Sequence, residues 1–248
     1  MNTAERFHRA RRDPELAVLE GFHALKHALR FGAEILEVVS AAPERLAGLA
    51  ESLAPDVAIR MSESVTEVVT SEELARLVPR PPATGVVSIA RRRVSTPEQA
   101  LDPANPASAV ALIGPRHAGN LGAVVRVAAA AGAAGVIVVG GRDPWEPDAI
   151  RGAAGLQYAL PVAVAGRVPE TARPLVAVDP EGEPMDARPI PPRALLVFGT
   201  EREGLAEEVL ARADLRVAIP MRRGVSSLNL ATAVAVILYV SRRGGCPS

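Results

Sequence analysis

The sequence predicts an α/β protein in two parts. A C-terminal domain over residues 108–248 is built on a parallel sheet, and a small N-terminal α/β domain covers 1–94, with a linker over 95–107 between them. Three observations predict this. Short segments that are apolar throughout, SAVALIG (108–114), GVIVVGG (135–141) and ALLVFG (194–199), recur between helical patterns. Strands with no polar face belong to a parallel sheet covered on both sides. Residues 95–107, STPEQALDPANPA, concentrate proline and polar groups, the composition of a connection. The segment before them alternates shorter strand and helix patterns.

Within the first part, residues 16–31 carry apolar side chains at helical spacing and predict a helix. GAEILEVVS (32–40) predicts a strand, 42–54 a helix, VAIR (57–60) a strand and 63–77 a helical stretch. The turn PRPPAT then leads into a strand at 85–90. In the second part the strand 108–114 passes through the loop PRHAGN to a helix at 121–132, and a strand follows at 135–141. A helical stretch near 147–155, a short strand near 160–164 and a strand at 174–179 come next. The strand 194–199, a helix at 204–213, the strand 215–220 and a final helix at about 226–241 complete the chain.

Charge and composition exclude several classes of function. Formal net charge is zero, so bulk charge alone does not hold this chain on nucleic acid or a membrane. Contacts to either must come from local patches. Lys26 is the only lysine among 28 basic residues. Arginine suits phosphate contacts, and a GC-rich coding sequence gives the same bias. The single cysteine, Cys246, permits no internal disulfide and fits a reducing cytoplasm. The first fifteen residues have no apolar core, so a secretory leader is not expected, and no apolar run approaches the ~18 residues that span a bilayer.

On a sheet of this kind, ligands bind where strands end and helices begin. Three such loops carry unusual residues: PRHAGNLGAVVR (115–126), FGTEREGL (198–205) and IPMRRGVSSLN (219–229). Each alone reads equally as helix caps and turn glycines. Together, at one end of one sheet, they could form a single concave site. Neither a dinucleotide nor a phosphate-loop glycine motif is present, and there is no nucleophile elbow. His23 and His27 stand four apart without the glutamate of a metalloprotease, so no metal is expected.

The three loops, in this order, resemble the SpoU/TrmH family of RNA ribose 2′-O-methyltransferases, within the SPOUT superfamily. The first motif stands as Asn120-x-Gly122-x-x-x-Arg126, the second as Gly199-x-Glu201-x-x-Gly204, the third as Ile219-Pro220-Met221 followed by Gly224 and Ser227-Leu228-Asn229. The segments 16–29 and 80–90 are similar to the opening and closing patterns of that family's substrate-binding module. The resemblance implies S-adenosylmethionine as donor, a ribose 2′-hydroxyl of RNA as acceptor (ribosomal RNA ahead of transfer RNA), a trefoil knot in the C-terminal domain, a homodimer and a cytoplasmic location.

It also implies roles. Arg126 acts on the 2′-hydroxyl, as general base by the resemblance or, since a guanidinium hardly deprotonates, as hydrogen-bond donor and charge stabiliser. Asn120, Glu201, Ser227 and Asn229 complete that catalytic group. Backbone groups around Gly199, Ile219 and Leu228, with Phe198 and Met221 beside them, hold the cofactor. Arg151, Arg222 and Arg223 meet RNA phosphate. The final helix, apolar nearly all round, supplies the dimer surface, Leu238 included. Asp148 and Ala153 replace the lysine and serine common in the family's middle element. That departure motivates an alternative, a non-catalytic RNA-binding or assembly factor that retains the fold.

Overall fold

The computed structural model describes residues 1–200, 204–225 and 227–243. The chain forms two compact units, Met1–Arg93 with Trp145–Ala159, and Val94–Pro144 with Leu160–Ser248.

The N-terminal unit begins with α1 (Thr3–Ala10), closed by a capping box in which Asn2 and Glu5 each accept the other's backbone N–H. Strand β1 (Leu16–Glu20), α2 (Phe22–Arg30), β2 (Ile35–Ser40), α3 (Pro43–Leu53), α4 (Ala58–Glu63), β3 (Glu67–Val68), α5 (Ser71–Leu77) and β4 (Val86–Arg91) follow. The sheet order is β1-β4-β2-β3, antiparallel except for β2 with β3. Phe22, Leu25, Leu46 and Met61 pack with Val38 and Val86 in one core cluster. Phe7, Leu74 and Leu77 pack with Val18, Val39 and Val87 in another. Neighbouring residues of β2 and of β4 thus supply different cores, as side-chain alternation along a strand requires.

Three predicted elements change here, one being the helical stretch 63–77, which holds the strand β3 before α5. Residues 16–31 are not one helix: 16–20 pair with β4, and the chain turns at Gly21, with φ of +96°, into α2. Ala17, Val18 and Leu19 are all buried, so no alternation marked the strand. Residues 57–60 are not a strand. Val57 and Met61 are buried while Ile59 is 74% exposed, the four-residue period of a helix, whereas a strand would put Val57 and Ile59 on one face.

The C-terminal unit carries α6 (Pro97–Ala100), β5 (Ala109–Ile113), α7 (Ala118–Ala130) and β6 (Val136–Val139). After an excursion containing α8 (Pro147–Ala153) come β7 (Val162–Ala165), β8 (Leu175–Pro184), β9 (Leu195–Phe198), α9 (Glu207–Ala211), β10 (Leu215–Ala218) and α10 (Leu230–Arg243). The six strands are all parallel, in the order β10-β8-β9-β5-β6-β7. Ala109, Ile137, Leu195 and Val197 share one core cluster, and their strand neighbours Val110, Val136 and Leu196 are buried too. Both faces of the sheet are covered. Among the described residues, no helix is long and apolar enough to cross a membrane.

The linker expected at 95–107 is instead part of this unit. Ser95 bridges to Ala163, and Ala100 and Leu101 are buried in the same cluster as Ile137. The 95%-buried Arg173 donates to five backbone carbonyls: Leu101 (3.2 Å), Asp102 (2.7 Å), Asn105 (3.0 Å), Ala107 (2.7 Å) and Arg193 (3.1 Å). The guanidinium's donors are thereby matched to carbonyls in place of a carboxylate.

The excursion 145–159, expected in the C-terminal domain, packs in the N-terminal unit. Trp145 and Tyr158 meet edge to face at 5.0 Å within a cluster containing Ala17, Leu19 and Ala90. The Tyr158 hydroxyl donates to the Arg91 carbonyl at 2.8 Å. Burial holds this phenol well above its usual titration range.

Candidate active site

The middle of β8, the carboxyl ends of β9 and β10 and the start of α10 line an open cavity of about 380 Å³. Strand β8 contributes Val178, Asp179 and Pro180; the end of β9 and its loop contribute Phe198, Gly199, Thr200 and Gly204. The stretch from β10 into α10 contributes Ile219, Met221, Ser227, Leu228, Leu230 and Ala233. The walls are mostly apolar side chains and exposed backbone, the lining of a small-molecule site, and the volume falls in the usual range.

Local sequence explains the shape. After β9 the loop folds back so that Thr200 bridges Gly204, whose N–H donates to the Thr200 carbonyl at 3.1 Å. A β-carbon on Gly199 would stand 2.1 Å from the Gly204 carbonyl oxygen, so only glycine fits there. Between β8 and β10 the pairing jumps from Ala177↔Arg216 to Glu183↔Val217. Residues 178–182 therefore bulge out of the ladder and present Asp179 to the cavity. Gly182 permits the return, since a β-carbon there would stand 2.6 Å from the Val217 backbone. Arg216 pins the bulge, donating to Asp179 Oδ1 at 2.6 and 3.1 Å and to Glu181 Oε2 at 3.0 Å. The hydrogen bonds to Asp179 raise the Arg216 pKa above its ordinary value.

Asn229 joins α10 to α7. Its Oδ1 accepts from the amides of Ala231 (3.0 Å) and Thr232 (3.4 Å), the geometry of an N-cap. With Oδ1 committed, Nδ2 is left to donate, and it does so to Asn120 Oδ1 at 3.1 Å.

The residues expected from sequence thus fall into distinct places. Phe198, Gly199, Ile219, Met221, Ser227 and Leu228 line the cavity. Asn120 and Asn229 form the α7–α10 link. Arg126 is exposed on α7 and is not among the cavity residues. Six positions from Asn120, it lies roughly 240° round the helix, on a different face. Arg222 and Arg223 are exposed in the turn before α10. Glu201 lies outside the described residues. Arg151, in the N-terminal unit, is ion-paired with the buried carboxylate of Glu20 and with Asp148 at 2.8 Å, and Glu20 also takes Arg11 at 2.6 Å. Its cation meets carboxylates while its side chain stays 35% exposed.

Sequence reasoning missed Asp179, Thr200, Leu230 and Ala233. Asp179 was findable: it is the last residue of the strand predicted at 174–179, and strand ends are where the other site residues were sought.

A model of the SpoU rRNA Methylase family matches residues 107–239, more than half of the 248. The chain belongs to the SpoU rRNA methylase family. Over 144 residues it is 34% identical to the 23S rRNA (uridine(2479)-2'-O)-methyltransferase of Streptomyces viridochromogenes, covering 52% of this chain and 50% of that one. The chain spans about half the length of the curated relatives it matches at this level. A longer alignment, 26% identical over 250 residues, relates it to the 23S rRNA (adenosine(1067)-2'-O)-methyltransferase of Streptomyces azureus, covering 93% of this chain and 87% of that one. Among solved structures, an AdoMet-bound rRNA methyltransferase from Sinorhizobium meliloti superposes with a TM-score of 0.75 at 28% identity, covering 99% of this chain and 93% of that one. In this SpoU chain Gly199 and Gly204 of the second motif and Ile219, Met221, Ser227 and Leu228 of the third line the cavity, and Asn120 of the first is joined to the third through Asn229.

Proposed function

We propose that this chain methylates a ribose 2′-hydroxyl of RNA with S-adenosylmethionine, in the cytoplasm, ribosomal RNA ahead of transfer RNA. The observation that carries this reading is the cavity at the ends of β9 and β10 beside the middle of β8, walled by the second and third family motifs. The residues present fit the cofactor. Apolar side chains of Phe198, Ile219, Met221 and Leu228 suit a purine, and backbone groups at the Gly199 turn are accessible for its polar edge.

S-adenosylmethionine supplies a methyl group already activated on a sulfonium. What remains for the protein is to place an acceptor oxygen in line and to stabilise it as its proton leaves. Asn229, fixed by its cap bonds and by Asn120, braces the wall that carries Ser227 and Leu228. Arg126 is the charge that meets the hydroxyl, as a donor and not as a base.

Because Arg126 stands away from the cavity, this reading includes a homodimer. Gly119, Ala123, Arg126 and Ala130 follow one another at three- and four-residue steps on the outward face of α7, and Ala235, Val236 and Tyr239 remain uncovered or half-covered on α10, which packs against α7. A second copy over this stripe buries it and encloses Arg126. The reading also includes a trefoil knot in the C-terminal unit, RNA selection by the N-terminal unit, and phosphate contacts by Arg222 and Arg223.

The test is transfer of labelled methyl from S-adenosylmethionine into cellular RNA, followed by 2′-O-methylation mapping in cells with and without the gene. The expected product is an alkali-resistant linkage at a discrete ribosomal position. Arg126→Ala should lose most of this activity while binding cofactor as the parent does; full activity in that variant would remove the role assigned to Arg126. RNA binding without turnover on any cellular RNA would favour an assembly factor instead.

A further inference from the structure

We infer that Asp179 is a specificity-determining residue for the cofactor, accepting a hydrogen bond from its ribose hydroxyls. The inference rests on the proposed S-adenosylmethionine reading and adds a residue to it. Asp179 is 9% exposed and is the only charged residue among the described residues that line the cavity. Its two carboxylate oxygens are used unequally. Oδ1 takes both Arg216 hydrogen bonds, at 2.6 and 3.1 Å, and the Glu181 amide at 2.9 Å. Among the described residues Oδ2 takes none of these. It lies toward Gly204, another residue of the cavity wall, 3.9 Å from where a β-carbon on that glycine would stand.

Oδ2 is not among the sealed, unpartnered side-chain atoms of the described residues; it borders the cavity, where a ligand donor can take the place of water. The bulge at 178–182 exists to make this placement: Gly182 allows it and Arg216 locks it. Arg216 is shared between Asp179 and Glu181, so it occupies Oδ1 without cancelling both carboxylates, and Oδ2 stays a strong acceptor. Asp179 stands next to Val178, which pairs with Phe198 at the end of β9. On S-adenosylmethionine the groups that suit an acid at that place are the ribose hydroxyls, the donors that acids beside strand ends accept from in nucleotide-binding α/β sheets.

The experiment is calorimetric binding of S-adenosylhomocysteine and of two relatives, one lacking the 2′- and 3′-hydroxyls and one lacking the α-amino group, to the full chain. Three proteins are compared: the parent, Asp179→Asn and Asp179→Ala. Asp179→Asn keeps an oxygen for Arg216 and converts the free oxygen into a donor. The parent should lose roughly tenfold or more in affinity when the hydroxyls are removed. Both variants should bind the complete ligand correspondingly weakly and show no further loss with the dideoxy ligand. Melting curves confirm that Asp179→Asn remains folded. Unchanged binding by Asp179→Asn overturns the inference, and so does a variant whose lost discrimination tracks the amino group. A parent protein that binds none of the three ligands overturns the cofactor reading itself, which is a separate result.

Discussion

Asn229 uses one amide for two purposes, and a substitution can separate them. Its oxygen caps α10 and its nitrogen holds Asn120. Asn229→Asp keeps the cap, since a carboxylate is favoured at a helix N-terminus, and loses the donation. Melting temperature should stay near the parent's while methyl transfer falls at least several-fold. Asn229→Ala should lose both, with about 1 kcal/mol of stability from the cap. Full activity in Asn229→Asp would reduce the residue to a cap. His27 offers a second residue-scale test. Its Nδ1 lies 2.7 Å from the Ala154 carbonyl, which can only accept, so Nδ1 carries the proton of a neutral ring. Burial, the largest influence, pushes its pKa below the ordinary 6.5, against the opposing backbone hydrogen bond. The unfolded chain therefore takes up the proton first. Stability is full above the unfolded value and falls as pH drops through it toward the lower folded value. His27→Gln should flatten this part of the melting-temperature profile, and an identical pH slope in the variant would dismiss the group. Glycines, Ser-Leu-Asn and the strand ends were legible as a site because their types are forced by backbone geometry. Asp179 was findable as the end of the strand predicted at 174–179, but its pairing with Arg216 across a bulged ladder was not, since no spacing in one strand reveals it.

At the scale of elements, the parallel strands were legible because burial on both faces leaves an unbroken apolar run. The same cause hid β1, whose run of Leu16 to Leu19 stays in phase with Phe22, Leu25 and Leu29 and so mimics one long helix. The misread helix α4 offered only four residues of pattern, too few to distinguish a period of two from one of nearly four. The segment 95–107 reads as a linker by composition, and proline-rich composition does not report what a distant side chain does to it. Arg173 is that side chain. Its removal leaves several carbonyls without donors beneath α6 and at the entry to β9. Arg173→Met, which keeps much of the length and apolar stem, should destabilise the C-terminal unit by about 3 kcal/mol, read from denaturant unfolding. Arg173→Lys should recover only part, since an ammonium cannot match the planar fork. A neutral Arg173→Met would mean that water replaces the guanidinium at no cost.

For the molecule as a whole, the sequence pointed to the last helix as apolar all round and assigned it to a partner copy. The structure divides that helix. Leu230, Val234, Ile237 and Leu238 are buried within the chain, Leu238 at 2% exposure, while Tyr239 is 48% exposed and Ala235 and Val236 are half-covered. Hydrophobicity counts apolar residues without saying which neighbour covers them, so the core stripe and the stripe left uncovered, proposed to meet a second copy, were indistinguishable until α7 was seen against α10. The two stripes make opposite predictions. Leu238→Ala removes core packing and should cost about 3 kcal/mol of stability, with the folded fraction assembling as before. Tyr239→Asp leaves the core alone and places a charge on the outward face beside Val236. It should shift sedimentation from dimer to monomer at micromolar concentration with little change in the monomer's own unfolding. If the dimer encloses Arg126, that monomer should also lose methyl transfer while still binding S-adenosylhomocysteine, because the cavity walls come from β8, β9, β10 and α10 of one chain. An active monomer would detach Arg126 from the interface and send the search for the charge that meets the hydroxyl back to Arg222 and Arg223.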